Sequence, residues 1–340
     1  MICFGNYLKD YLEARDISQS EFATRLGISQ KHMNEILNGK TRITMEMAGN
    51  IERLTGISSS FIVAIESRRK LEEKLLENYE SKKELFKDIK QKYSVKELKE
   101  RNWIKFKDET NVIQVCVDLL DFMKVIDFDV IPELEKKTLF KKDGEDFNKL
   151  ALWIAHCDKI TEKQEVKEYN KENFNKLICE LKEYAYLNEN YEPIQIQKIL
   201  NKYGIYFCEE KALSGTKVRG CFKVRGKKPA IYTTKNYHAK DSFFYELFHE
   251  LGHCRSDYNE AKKMVIFNGS KEQEDRADKF ALDIMIPDNV WDKVIENYSE
   301  ENIKKISKEY RIPISFIVGR MAKLGAISYK SKLYNNYNLI

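Results

Sequence analysis

Along most of this chain, apolar residues return every third or fourth position, the period of a helix that buries one face. Residues 1–66 divide into five short segments of this kind. Leu8, Leu12 and Ala14 mark the first. Ser18-Gln-Ser-Glu21 reads as a capping box opening a second, carried by Phe22, Ala23 and Leu26. Gly27 makes the turn, and Ile28 packs beneath it. Ser29 caps a third segment, Gln30–Leu37, which stops at Asn38-Gly39. Thr44 caps a fourth that ends at Gly56, and Ser58–Ile65 begins a fifth.

Helix, glycine turn, helix is the helix-turn-helix arrangement, with the third helix exposed for the major groove. Its outward residues are Gln30, Lys31, His32 and Asn34. Gln and Asn read adenine edges, and Lys31 reaches guanine or phosphate. Lys40 and Arg42 follow in the loop, where phosphate contact is natural. Residues 1–66 hold seven Lys/Arg against eight Asp/Glu, so only the Lys31–Arg42 patch is locally basic. Ser18–Gly39 together with Gly56 resembles the Xre-type regulator domain, and especially HigA-like antitoxins. That resemblance implies operator DNA as a partner. Because such domains bind paired half-sites, a homodimer is expected.

Residues 67–190 keep the helical period without carrying chemistry. From Glu66 to Arg101 the chain is dense in Lys and Glu, with Leu71, Leu75, Leu76, Tyr79, Leu85 and Ile89 at helical intervals. This reads as a solvated helical connector or a dimer helix. Val112–Val125 is apolar with few breaks and must be buried. Leu150–Cys157, with Trp153 and His156, reads as a core helix, and His156 as a satisfied core histidine. Phe174, Leu177, Ile178 and Leu181 continue the pattern.

The period changes in residues 191–340. A short helix, Ile194–Tyr203, leads into Ile205–Cys208, Lys217–Val224 and Pro229–Thr234, which are rich in β-branched and aromatic residues. The last two are joined as a hairpin by Arg225-Gly-Lys-Lys228. Then comes Phe243–Asp257, FFYELFHELGHCRSD, which contains His249-Glu250-Leu251-Gly252-His253. Residues four apart share a helix face, so both imidazoles point the same way and can bind one metal ion. Zinc suits imidazole and tolerates an open position for water. Glu250 lies beside the ligands, placed to take a proton from a water at the metal. Phe244, Leu247, Phe248 and Leu251 fit a buried helix.

Catalytic zinc needs a third protein ligand. Downstream, Ala277, Phe280, Ala281, Ile284 and Met285 fall at helical spacing, and Pro287 ends that helix. Glu274 stands one turn before Asp278. The pair supplies a ligand and a carboxylate to hold a ligand histidine's second nitrogen. Glu272 and Asp275 compete for the ligand place. Arg219, Tyr237, His238 and Tyr245 are candidate donors to a developing oxyanion, with His238 first among them. The edge of the small sheet offers an extended substrate backbone-to-backbone pairing.

Asp241–His253, Glu274-x-x-Ala277-Asp278-x-Phe280-Ala281 and Met285-Ile-Pro287 resemble the ImmA/IrrE family of metallopeptidases. The resemblance covers Tyr203–Pro287. It implies that His249, His253 and Glu274 hold zinc and that Glu250 is the base. Arg276 departs from it, standing where many relatives have Glu. The middle region resembles the linker of fused members, and Ile314-Ser-Phe-Ile-Val-Gly-Arg-Met resembles their tail. The implied substrate is a repressor or antitoxin-type protein.

Composition adds bounds. The net charge is +5, with 33% charged and 42% apolar residues, which allows but does not demand nucleic acid. The seven cysteines form no C-x-x-C, so they read as reduced thiols of a cytoplasmic protein. No signal peptide or membrane span is expected. The fold expected is mainly α with a small β-sheet (α+β). It has a five-helix helix-turn-helix domain (1–66), a helical connector and middle region (67–190) and a zincin-like metallopeptidase domain (191–340) with terminal helices. The tail Lys330–Ile340 is expected to be loose. The function expected is a DNA-binding regulator with its own zinc endopeptidase. The alternative is a non-enzymatic HigA-like antitoxin or regulator whose metal domain is structural or ligand-sensing.

Overall fold

The computed structural model describes residues 3–136, 138–139, 146–235, 239–266 and 269–338. It is mainly helical with one small sheet, as the periodicity requires. The chain forms two compact units, 1–91 with 106–117 and 92–105 with 118–340. The bounds of these units do not coincide with those of the three segments expected.

The first unit opens with α1 (Phe4–Glu13), α2 (Gln19–Leu26), α3 (Gln30–Leu37), α4 (Met45–Thr55) and α5 (Ser59–Leu76). Phe4, Leu8, Phe22, Met33, Ile51 and Ile62 meet in one core. Ser18, Ser29 and Thr44 each accept a hydrogen bond from the backbone N–H three residues on, so each cap stands as expected. The return arm of the α2 capping box does not form, since Glu21 pairs with Arg25 instead. Gly27 takes φ +73°, the left-handed conformation that the α2–α3 turn needs. The Lys/Glu-rich stretch is helical, with most of its charged side chains exposed and an apolar stripe buried. α5 runs on to Leu76 and α6 covers Lys82–Lys92, with Leu75, Leu85 and Ile89 buried. Buried Glu72 is ion-paired with Lys82.

The later helices are α7 (Val95–Glu100), α8 (Val112–Met123), α9 (Ile131–Lys136), α10 (Phe147–Thr161), α11 (Phe174–Leu187), α12 (Pro193–Lys202) and α13 (Lys240–Ser256). They continue with α14 (Tyr258–Ala261), α15 (Lys271–Met285), α16 (Asp288–Glu296), α17 (Glu300–Tyr310), α18 (Ile314–Lys323) and α19 (Lys332–Asn338). The strands are β1 (Thr138–Leu139), β2 (Tyr206–Glu209), β3 (Gly220–Arg225), β4 (Lys228–Thr233) and β5 (Val265–Ile266), in sheet order β1-β5-β3-β4-β2. β3 and β4 form the expected hairpin, pairing Arg225 with Lys228, while β2 joins β4 in parallel. Among the described residues, β5 pairs with β3 at Phe222.

The core of the second unit gathers around α13. Its Phe243, Phe244, Leu247, Phe248 and Leu251 join Phe207, Phe222 and Ile231 of the sheet. Burying each such side chain is worth about 1.5–3 kcal/mol. His156 lies in a second core region, stacked on Trp103 at 4.0 Å between ring centroids. As far as residue 338 the tail is not loose but forms α19. Asn338 is buried, and its Nδ2 donates to Ser315 O at 3.2 Å. No helix among the described residues is long and apolar enough to cross a membrane.

Candidate functional site

α13 runs beneath β3, and α15 crosses it. His249 and His253 lie one turn apart on α13, with Nε2 atoms 3.1 Å from each other. Glu274 enters from the first turn of α15. Its Oε2 is 3.3 Å from His249 Nε2, and its Oε1 is 3.4 Å from His253 Nε2. These ligand atoms all lie within 4.8 Å of one another and form a group able to hold a metal ion. Glu272 and Asp275, the competing acids, are exposed and stand outside this group.

Two local features deliver Glu274. Ser270 caps α15 in a full capping box with Gln273, which aims the first turn. Gly252 lets α15 approach, since a Cβ there would stand 3.0 Å from Ala277 Cα. Glu274 lies one turn before that contact.

Each histidine is oriented from behind. His249 Nδ1–H donates to Asp278 Oδ1 at 2.8 Å, and the Tyr245 hydroxyl donates to the same oxygen at 2.6 Å. His253 Nδ1–H donates to Asp257 Oδ2 at 2.8 Å. Asp257 is buried, and its Oδ1 accepts from Arg276 Nη2 at 2.8 Å. Such carboxylates set the tautomer that leaves Nε2 for a metal. Sequence reading found Asp278 and missed Asp257, although Asp257 follows His253 by the same four-residue step that marks the histidine pair. Arg276, where the resemblance expects Glu, is the partner of this second carboxylate.

The site's charges are strongly coupled. Burial alone would lower the His249 pKa, but its bonds to Asp278 and Glu274 hold it up at about 11. His253 is likewise held at about 9 by Asp257 and Glu274 against burial. Glu274 is pulled far below the carboxylate range by the two histidines, despite its burial. Glu250 is 2% exposed, and burial pushes its carboxyl well above the ordinary glutamate range against the pull of both histidines. Its Oε2 has no hydrogen-bond partner among the described residues. Gly220 of β3 presses on this acid: a Cβ there would fall 2.5 Å from Glu250 Oε1.

Among the oxyanion candidates, Tyr237 and His238 lie outside the described residues. The Tyr245 hydroxyl is committed to Asp278. Arg219 is exposed and adjoins Gly220. Cys254 points away from the ligands, buried with its Sγ 3.6 Å from the Tyr169 hydroxyl.

In the first unit, α3 exposes Gln30, Lys31 and Asn34, with His32 half-buried. Asn34 Oδ1 accepts from Asn38 Nδ2 at 2.6 Å. Lys40 and Arg42 are exposed, but Arg42 is ion-paired with Glu73 and must exchange that partner to reach a phosphate. A helix-turn-helix family model matches residues 8–62. No curated protein matches the chain. Residues 8–62 are accordingly a helix-turn-helix of the DNA-binding kind found in transcription regulators.

Proposed function

We propose that this DNA-binding regulator carries a zinc-dependent endopeptidase, as the ImmA/IrrE resemblance implies, and that it cuts a regulatory protein of the repressor or antitoxin kind. One observation carries the reading: three convergent ligands stand beside a buried acid, Glu250, whose Oε2 has no hydrogen-bond partner among the described residues. A purely structural site needs the ligands but has no use for that acid. Two imidazoles and one carboxylate are a donor set that suits zinc with a position left open.

When bound, zinc supplies Lewis acidity to the peptide carbonyl and lowers the pKa of a water. Glu250 takes a proton from the attacking water and returns it to the leaving amine. Its burial favours holding that proton between the two events. Asp278 and Asp257 keep both imidazoles turned toward the metal. An extended peptide pairing backbone-to-backbone with an edge of the small sheet, as expected from the sequence, would lie beside these groups.

The test is Glu250→Gln. It should keep zinc and operator binding while abolishing cleavage-dependent induction. Regulation identical to the parent would favour the non-enzymatic reading, a HigA-like regulator with a structural or ligand-sensing metal site.

A further inference from the structure

A cavity of about 470 Å³ lies one helical turn from the metal ligands, where Tyr245, four residues before His249, forms part of its wall. The interior is apolar, lined by Val218, Leu282, Met285, Ile286 and Phe316. Three cations, Lys217, Arg219 and Lys323, also line it. All three are exposed, and none has an ion-pair partner among the described residues. Lys323 Nζ lies over the Tyr245 ring, 4.3 Å from its centre.

Of the other charged lining residues, Arg320 is engaged and the two acids are buried. Arg320 donates to Ile286 O at 2.9 Å and stacks on Trp291 at 4.5 Å. Glu246 is buried beneath Gly220 beside Glu250, and Asp241 is buried beneath Gly319 of α18. The accessible charge is therefore positive. It sits at the rim of a concave surface, where a field is focused and a carboxylate gains charge-assisted hydrogen bonds.

We infer that this cavity selects a substrate with an acidic side chain close to the bond to be cut. The inference rests on the endopeptidase reading and names the substrate class of the same site. The aliphatic stem of the acid would lie against Val218 and Ile286, with its carboxylate among Lys217, Arg219 and Lys323. A lysine or arginine at that position would be repelled.

The test measures binding separately from turnover. The full-length Glu250→Gln protein, loaded with zinc, is titrated with fluorescein-labelled hexapeptide pools carrying Asp/Glu, Asn/Gln or Lys/Arg at one fixed position. The acidic pool should bind about ten-fold tighter than the amide pool. That preference should shrink at high salt and invert toward Lys/Arg when Lys217→Glu and Lys323→Glu are added. Lys217→Glu alone, on an exposed residue, should weaken the preference if the double variant fails to fold. Equal binding of all pools, no binding of any pool, or a preference that survives charge reversal overturns the inference. Incubating the parent protein with the same pools tests the underlying reading. Acid-selective binding without cleavage sinks the endopeptidase and leaves the acid site standing. Cleavage without acid preference does the reverse.

Discussion

Gly252 of α13 meets Ala277 of α15 so closely that a Cβ on the glycine would stand 3.0 Å from the alanine Cα and 3.3 Å from its Cβ. Two small residues thus set the distance between the helix that carries the histidines and the helix that carries Glu274. Gly252→Ala should push α15 outward by a few tenths of an ångström and lengthen the reach of Glu274. Zinc affinity, measured by competition with a chelator, should fall about ten-fold, while far-UV circular dichroism stays unchanged. Undiminished affinity would mean that this crossing does not set the ligand distance.

Asp257 holds His253 from behind, and Arg276 holds Asp257. Asp257→Asn should cost about 10–100-fold in zinc affinity, because the amide can present its NH2 group and turn the imidazole. Arg276→Ala should cost less, since the Arg276 side chain is 52% exposed and Asp257 remains. Equal losses in the two variants would show that the arginine, not the carboxylate, governs the orientation.

Metal uptake should expel protons. In the metal-free protein the carboxylates of Asp278, Asp257 and Glu274 hold the histidine pair above the ordinary imidazole range, so the pair carries at least one extra proton at neutral pH. A metal ligand must be neutral. Binding therefore releases about one to two protons, and apparent zinc affinity rises with pH through the neutral range and weakens on acidification. Calorimetric titrations in buffers of different ionisation enthalpy read this directly. Identical heats would contradict the charged cluster.

His156 supplies a separate pH effect. Burial lowers its pKa to about 4, and Lys159 and Arg101 add to that shift. The Glu210 carboxylate, 3.8 Å away, pulls in the opposite direction but is outweighed by burial. The unfolded chain, with an ordinary histidine pKa near 6.5, holds the extra proton between these limits. This contribution to stability is therefore complete above about pH 6.5 and is lost as pH falls toward 4, by at most about 3 kcal/mol. His156→Phe should keep the stacking on Trp103 and flatten that part of the urea-midpoint profile between pH 7 and 5. A variant whose profile parallels the parent's would assign the slope to other groups.

Gln30 and Asn34 share the exposed face of α3. The double change to alanine should weaken binding to the protein's own promoter region at least ten-fold, with the thermal midpoint nearly unchanged. Arg42→Ala should act differently, reducing the salt dependence of binding uniformly across sequences. Full affinity in the double variant would remove α3 from the groove.

What the sequence by itself determined is local. The caps Ser18, Ser29 and Thr44, the left-handed Gly27, the hairpin at Gly226 and the helical period each depend on neighbours in the chain, so they were legible without coordinates. The four-residue step from His249 to His253 belongs to the same class, because a helix alone makes those imidazoles neighbours. Tertiary structure decided the rest. Of Glu272, Glu274 and Asp275, only Glu274 turns toward the histidines, because the capping box at Ser270 and the Gly252–Ala277 crossing aim its turn of α15. The pairing of Arg276 with Asp257, the closeness of Gly220 to Glu250 and the burial of Leu75, Leu85 and Ile89 arise the same way. Each is a contact between elements far apart in the chain. Such contacts are set by how side-chain volumes pack, which periodicity and propensity do not encode.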